Sequence, residues 1–335
     1  MKKYNIGIVG YSWAGEAHID AVNNTSLGQV TAVCSARKLD PEQVSLKHNG
    51  KIKIYHELDK LLADQDIHVV SICSYPDLHA VQAIAAAKAG KHLIIEKPLA
   101  LSWDDCLSIK TAVDKAKVKT CVCFECRFSS QLVTIKSMID QGLLGKIHFA
   151  EVDYYHGIGP WYGQYRWNTK KGRGGSSLLS GGCHAMDALL LFMGHDIREV
   201  NSFATNSSNL DFRAYEYPTS SVTILKFNDG RIGKVASVID CLQPYYFHIH
   251  LVGSEGSLLD NKFYSSRFGA LNKTKWSELS MKMLDSGDVS DHPYQNQFET
   301  FFRAIDQGKD MPLTSLEDAL HAHEVIFKAD QISAK

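Results

Sequence analysis

The sequence predicts an α/β domain with a parallel sheet covered on both faces over residues 1–122, followed by an α+β domain built on a mostly antiparallel open sheet over residues 123–335. Three observations carry that expectation. Short apolar runs alternate with amphipathic stretches of helical length through the first third of the chain. A glycine turn joins the first run to the first helix. Beyond about residue 122 the pattern changes to period-two strands punctuated by turn residues. A length of 335 residues exceeds one typical domain, and a hydrophobic share of 44% is enough to fill two cores.

Element by element, Ile6 to Val9 reads as a strand that turns at Gly10 into a helix starting near Ala14, with Ala17, Ala21 and Val22 inward. The run "QVTAVCS" is a second strand ending near Ser35. The pairs "IKIYH"/"ELDKLLA", "IHVVSIC"/"DLHAVQAIAAAKAG" and "HLIIE"/"WDDCLSIKTAVDKAK" continue the alternation, which closes on "TCVCFE". Gly90 is the expected stop of the helix before it.

The turn Gly10-Tyr11-Ser12-Trp13-Ala14-Gly15 is a G-x-G-x-x-G pattern with serine at the second glycine. Such a turn lets the backbone approach a pyrophosphate and offers it the amides of a helix N-terminus. Serine is the smallest substitute for glycine there. Gly10, Ser12, Trp13 and Ala14 are therefore the expected cofactor contacts. At the end of the second strand, an Asp or Glu would accept from the ribose 2′-hydroxyl of NAD and repel a 2′-phosphate. The chain instead has Ser35, Arg37 and Lys38, which favours NADP while leaving NAD open.

In doubly wound sheets ligands bind outside the carboxyl ends of the strands. Ser74-Tyr75-Pro76 stand at one such end, with Asp77 placed to cap the next helix and His79 on its first turns. Glu96-Lys97-Pro98 stand at another, a charged pair closing the apolar strand of Leu93, Ile94 and Ile95. That arrangement is costly unless the charges are used or satisfied. Neighbouring strand residues point to opposite faces, so Glu96 and Lys97 are not expected to pair with each other. His18 and His79 read as hydrogen-bonded helix residues and not as catalysts.

Lys and Arg number 36 against 37 Asp and Glu, which leaves no basic excess for nucleic acid or an anionic membrane. No secretory leader or membrane-length apolar run is read, and eight irregularly spaced cysteines suggest reduced thiols in a cytoplasmic protein.

In the second domain, "KIHFAEVDYYH", "SVTILKFNDG", "RIGKVASVID" and "YYFHIHLVGS" alternate with period two, and Asn228-Asp229-Gly230 marks a hairpin. Tyr245, Phe247, Ile249 and Leu251 form an apolar face that needs a cover. Phe298, Phe301, Phe302 and Ile305 form a helical stripe, and Ser315 with Asp318 resembles a capping box. Both helices are expected to close the second domain, with His323 a core histidine. Residues 154–175 hold six aromatic side chains among glycines. Tyr155, Trp161 and Trp167 suit the C–H faces of a sugar ring, and packing against a neighbouring subunit is the competing reading.

The run "SLLSGGCHAMD", residues 177–187, holds the chemistry expected of this domain. Cys183 and His184 are adjacent on a helix, diverge by about 100°, and so do not form a nucleophile–base pair. Cys121, Cys123 and Cys126 lie on a buried strand without a matching ligand motif. His248 and His250 share a strand face but bring no further ligand by spacing, so no metal is expected. Acid–base chemistry remains. His184 has the ordinary pKa range to take a hydroxyl proton near neutrality, with Lys97 stabilising alkoxide charge and Asp187 one helical turn beyond. The two glycines are read as letting the backbone lie close to substrate or cofactor.

"EKPLALS", the glycine turn, "CFECRFSSQLVTIKSMIDQGLLGKI", "GGSSLLSGGCHAMDALLLFMG" and "FETFFRAIDQGKDMPLTSLEDAL" together resemble the glucose–fructose oxidoreductase/inositol dehydrogenase/MocA family, in order and over nearly the whole chain. The resemblance implies a Rossmann first domain and hydride transfer between NAD(P) and a sugar, polyol or related alcohol. It also implies a catalytic Lys97 followed by a cis peptide bond, and His184 as the acid–base residue. The family's sheet often forms subunit interfaces, which implies a homodimer or homotetramer through the C-terminal sheet. One position departs from the family pattern D-x-x-x-H-x-x-D, because Ser180 stands where the first aspartate is expected. Ser180 then hydrogen-bonds substrate, or the proton relay is rearranged through Glu125, Arg127 or Tyr155. Two rival functions share this fold: a redox-neutral glycoside-cleaving enzyme that uses NAD transiently, and a non-catalytic dinucleotide-binding protein.

Overall fold

The computed structural model describes residues 3–285 and 292–334. The chain forms two compact units, Met1–Glu125 with His292–Leu320, and Cys126–Asp291 with His321–Lys335.

The first unit is built on six parallel strands: β1 (Tyr4–Val9), β2 (Gly28–Cys34), β3 (Lys53–Tyr55), β4 (Val69–Ile72), β5 (His92–Ile95) and β6 (Thr120–Val122). Their order is β3-β2-β1-β4-β5-β6. The connections carry α1 (Trp13–Asn23), α2 (Pro41–Lys47), α3 (Leu58–Ala63), α4 (Pro76–Lys88) and α5 (Trp103–Ala116). β4 and β6 are buried along their whole length, as expected of strands covered on both faces. The strand order reverses between β1 and β4, the switch point at which this topology binds ligands.

Two local details differ from expectation. The short helix α2 escapes a periodicity search. It forms because Asp40 accepts from the amides of Glu42 and Gln43 and Pro41 fixes the first turn. Asp77 does not cap α4: the cap position is Tyr75, Pro76 begins the helix, and Asp77 stands in its first turn. Gly90 ends α4 as expected, with φ +74° and its amide donating to Ala87.

The second unit opens with α6 (Ser130–Asp140) and the long strand β7 (Ile147–Tyr155). Two single-turn helices follow, α7 (Tyr165–Asn168) and α8 (Lys171–Gly174). A π-helical turn over Leu178–Gly182 then leads into α9 (Cys183–Met193). The segment Lys171–Met193 is apolar and long enough to cross a membrane, but 83% of its most apolar window is buried inside the protein.

Seven further strands complete a mixed eight-stranded sheet: β8 (Ile197–Thr205), β9 (Ser220–Phe227), β10 (Ile232–Val238), β11 (Tyr246–Gly253), β12 (Gly256–Leu259), β13 (Lys262–Ser265) and β14 (Ser277–Glu278). The order is β14-β13-β12-β11-β7-β10-β9-β8, antiparallel throughout except for the parallel β7–β10 pair. β9 and β10 form the hairpin expected at Asn228-Asp229-Gly230, with Gly230 at φ +89°.

One face of this sheet packs on α9: Gly233 lies against Leu189, and Ser237 lies against Gly182. The other face carries the exposed side chains of Phe203, Val222, Ile224 and Tyr246. Phe247, Ile249 and Leu251 point inward and are buried, as their alternation predicts.

The remaining helices are α10 (Tyr294–Asp306) and α11 (Leu316–Ser333). The α10 stripe of Phe298, Phe301 and Phe302 is fully buried, but against the first unit. Phe302 stacks on Tyr4 and fills the space over Gly28, while Phe298 meets His18. The sequence reading assigned this stripe to the second domain because periodicity states that a helix needs a cover and not which one. Ser315 and Asp318 form the expected reciprocal cap of α11, and His323 is buried beside Phe327.

Candidate active site

Each unit carries part of the chemistry. In the first, β1 turns at Gly10, which has φ +97° and no room for a side chain: a Cβ would lie 2.7 Å from the Cys73 carbonyl oxygen. Gly15 is equally constrained, since its Cβ would meet the Gly10 carbonyl at 2.2 Å. The two glycines bring α1 tightly against the ends of β1 and β4. Ser12 is the N-cap residue, exposed and making no side-chain capping bond. The opening amides of α1 are thus left for an anion, the arrangement a dinucleotide pyrophosphate needs. These residues fit NAD(P): Gly10, Ser12, Trp13 and Ala14 lie along one turn, and Trp13 is 42% exposed beside it.

The end of β2 carries the residues expected on the adenosine side. Ser35 is buried and its hydroxyl accepts from the Arg37 amide at 3.1 Å. The exposed Arg37 guanidinium lies over the Tyr11 ring, 5.9 Å from its centroid. At the end of β4, Ser74 donates to Gln82 at 2.6 Å and Tyr75 is exposed. His79 is buried, with its ring nitrogens 2.8 Å from the Pro98 carbonyl and 3.2 Å from that of Ser74. It ties the β4 and β5 ends together, as a hydrogen-bonded helix residue should, and burial holds its imidazole below the usual range.

At the end of β5 the Lys97–Pro98 peptide is cis. Glu96 and Lys97 divide their work as strand alternation requires. Glu96 turns into the core, where it is 2.8 Å from His18 Nε2 and accepts from the Tyr294 hydroxyl at 2.7 Å. Burial pushes this carboxyl up, but the His18 contact and the Lys97 charge outweigh it and hold it ionised. His18 shows the mirror effect: burial lowers it, and Cys73 and then Glu96 raise it by more, which favours the imidazolium beside Glu96. Lys97 is half-buried.

Glu125 completes the group. It is fully buried, 3.3 Å from His292, and pushed up to about 8 by burial and then by the Glu96 charge, against the pull of Lys97. Burial and the Glu96 charge thus favour its protonated form. The partners from the C-terminal segment, His292 and Tyr294, were missed in the sequence because they precede the phenylalanine stripe and belong to no local motif.

In the second unit, His184 is buried on the first turn of α9 and stacks on Tyr154, with ring centroids 6.5 Å apart. Tyr154 is hydrogen-bonded to His156 at 3.0 Å, and Tyr162 and Tyr245 pack edge-on around that pair. Burial holds the Tyr154 phenol neutral. Tyr154 belongs to the aromatic stretch read from the sequence but was not singled out there, and His156 and Tyr245 were not assigned to the site. The sequence reading chose Tyr155 instead, and alternation puts that side chain on the opposite face of β7, stacked on Tyr246. The structure does not bring Tyr155 to His184.

The glycines of the run, expected to let the backbone lie close to a ligand, are closely packed in the structure. A Cβ on Gly181 would lie 2.6 Å from the Tyr154 ring, and one on Gly182 would lie 2.5 Å from Ser237. Cys183 is a fully buried packing residue. Asp187 is taken by a partner the sequence did not pair with it: Arg127 donates to both its oxygens at 2.7 Å, and both side chains are buried.

Ser180 lies in the π-helical turn beside the Tyr217 hydroxyl, which also donates to the Asn168 carbonyl. Trp161 is 59% exposed and packs on Phe212, donating to the Gly157 carbonyl, while Trp167 is half-buried on α7.

The first unit thus holds a switch-point glycine turn and a strand-end lysine, and the second a buried histidine on a sheet-packed helix, the parts expected of a nicotinamide-dependent oxidoreductase family. Residues 4–124 match the oxidoreductase family with NAD-binding Rossmann fold (GFO_IDH_MocA), and residues 132–259 match the GFO/IDH/MocA C-terminal domain. The chain belongs to the Gfo/Idh/MocA oxidoreductase family.

It is 26% identical to myo-inositol 2-dehydrogenase of Thermotoga maritima over 76% of this chain and 74% of that one. It is 27% identical to levoglucosan dehydrogenase of Pseudarthrobacter phenanthrenivorans over 78% of this chain and 74% of that one. For scyllo-inositol 2-dehydrogenase (NADP+) of Bacillus subtilis the figures are 28%, 56% and 51%. The chain thus spans only about half the length of some of the curated relatives it matches. Levoglucosan dehydrogenase in complex with NADH and levoglucosan superposes with a TM-score of 0.83 at 21% identity, over 99% of this chain and 98% of that one, a likeness of fold.

Proposed function

We propose that this chain is an NAD(P)-dependent dehydrogenase of a secondary alcohol in a sugar or polyol. The observation that carries the reading is His184, a buried histidine at the start of a helix and stacked on Tyr154, in a chain whose other unit ends β5 on Lys97. Relatives named for inositol and levoglucosan support the substrate class. A bound nicotinamide supplies the hydride acceptor. In this reading His184 is the acid–base residue for the hydroxyl proton, and Lys97 supplies an ammonium suited to stabilising alkoxide charge. Tyr154 fixes the imidazole plane, and the Tyr154–His156–Tyr245 rings offer flat surfaces to a sugar.

The finer assignments belong to the same proposal. NADP is favoured over NAD, because Arg37 and Ser35 stand where a carboxylate would reject a 2′-phosphate. The β8–β9 end of the exposed face of the second sheet, with Phe203, Val222 and Ile224, is read as a contact between copies of the chain. All eight cysteines are free thiols, seven of them buried, in keeping with a reducing compartment such as the cytoplasm.

The test is a panel of inositols and anhydro- and free sugars assayed with NAD and NADP, following both reduced cofactor and product. Reduced cofactor formed in step with product is expected. Product without net reduction assigns the chain to the redox-neutral branch. His184→Ala and Lys97→Met are each expected to lower turnover at least ~10²-fold with cofactor binding retained. Unchanged turnover removes that residue from the mechanism.

A further inference from the structure

The outer face of the second sheet, opposite α9, holds a cluster that the dehydrogenase reading does not use. Glu151 on β7 and His248 and His250 on β11 share that face, with His250 directly opposite Glu151 in the register. Glu151 Oε2 lies 3.8 Å from His248 Nε2 and 3.9 Å from His250 Nδ1, and one ligand atom from each residue falls within 4.8 Å of the others. These separations are too long for direct hydrogen bonds. Three donor atoms therefore converge on a common point without bonding one another.

The surroundings prepare the donors. His248 Nδ1 is 3.2 Å from Asp260 and 2.9 Å from the Tyr246 hydroxyl, which itself donates to Asp260 at 2.7 Å. A carboxylate held at one ring nitrogen places the proton there and leaves the Nε2 lone pair facing Glu151, the outer-shell pattern that orients metal-binding histidines. On the other side, Lys234 donates to Glu151 Oε1 at 2.6 Å and to Asp153 at 2.7 Å. Lys234 thus fixes the Glu151 carboxylate through one oxygen and leaves Oε2 toward the histidines.

We propose that Glu151, His248 and His250 form a site for a divalent first-row transition ion of the zinc class, with water completing the coordination. Two imidazoles and one carboxylate are a set that zinc accepts, and bond lengths of about 2.0–2.2 Å require the two Glu151–histidine separations to shorten by about half an ångström while the two imidazoles draw toward each other. The ion would clip β7 to β11 and, through Asp260, to the turn between β12 and β13. The side chains are partly exposed (16–32% across the three), so an ion has access from this face.

The test uses the full chain, with zinc chloride as the probe for equilibrium dialysis and thermal melting, and cobalt(II) for its visible spectrum. One zinc per chain, a melting temperature that rises with zinc concentration, and a cobalt spectrum free of thiolate charge transfer are expected. His250→Gln, which leaves the Tyr246–Asp260–His248 network in place, is expected to abolish both the retained ion and the thermal shift. Glu151→Gln is expected to weaken binding at least tenfold. Equal stoichiometry and shift in the His250→Gln protein overturn the proposal, as does a thiolate cobalt spectrum or a wild-type chain that retains no zinc.

Discussion

The two sheets place their reactive residues in different ways. The first is buried between helices, so its faces have no room for chemistry and its reactive groups stand at strand ends: Gly10 after β1, Ser35 after β2, Ser74 after β4 and Lys97 after β5. The second sheet has one covered face and one open. Its histidine lies on the helix packed against the covered face, and the open face is left to Glu151, His248, Tyr246 and exposed aliphatic groups. A parallel doubly wound sheet fixes where a ligand binds through topology alone. A mixed sheet does not, and side-chain pairs must hold the site.

The Arg127–Asp187 pair is where that difference tests most strongly. Both groups are buried, and Arg127→Met leaves the Asp187 charge without its cation. The expected loss is about 3–5 kcal/mol, read by chemical denaturation. Adding Asp187→Leu should restore much of it. A single variant as stable as the wild type would mean that helix packing alone holds α9.

The glycines separate the two units next. Gly10→Ala puts a Cβ against backbone at positive φ, an expected cost of about 1–3 kcal/mol concentrated in the cofactor turn. Dinucleotide affinity should fall at least tenfold, measured by fluorescence titration. Gly181→Ala pushes on the Tyr154 ring instead, so turnover should fall while dinucleotide affinity stays within about twofold. Equal losses of dinucleotide affinity in the two variants would erase the distinction.

How much of this was legible in the sequence follows the same division. The first unit was readable strand by strand, because its strands and longer helices show a local period and the candidate cofactor residues follow strands; α2, set by its Asp40 cap, was not. Even there, Glu96 revealed only that it needs a partner; the partners His18 and Tyr294 are 78 and 198 residues away in the chain. In the second unit, His184 stood out but its neighbour was placed one residue off. Tyr154 and Tyr155 are equally aromatic, and only the strand register tells which faces α9. The Arg127–Asp187 pair joins two segments 60 residues apart with no shared motif. β8, with its alternation broken by charged and polar residues, gave no strand signal.

A pH-dependent effect concerns the buried carboxyl at the end of the first unit. Glu125 is raised to about 8 in the fold, chiefly by burial and then by Glu96, from an ordinary value near 4.5. A carboxyl raised on folding contributes stability that is fully present below its unfolded value and is lost as pH climbs through its folded one. Wild-type stability should therefore decline between about pH 4.5 and 8 by this contribution. Glu125→Gln, neutral throughout, should flatten that part of the curve, so its melting temperature gains on the wild type as pH rises. Parallel curves would show that Glu125 is ionised in the fold.

The smallest expected effect tests whether the strand-end logic of the first sheet extends to cofactor choice. Arg37 carries an exposed guanidinium held over Tyr11, and its amide is anchored on the Ser35 hydroxyl at the end of β2. A 2′-phosphate there would gain a charge-assisted hydrogen bond of about 1.5–3 kcal/mol, and a 2′-hydroxyl would gain little. Arg37→Ala should lower kcat/KM for NADP about tenfold or more while that for NAD changes by less than about twofold. Ser35→Asp should go further and reverse the preference, because a carboxylate repels the phosphate and accepts from the hydroxyl. If both variants leave the NADP to NAD ratio unchanged, the end of β2 does not read the ribose, and the preference is set elsewhere in the first unit.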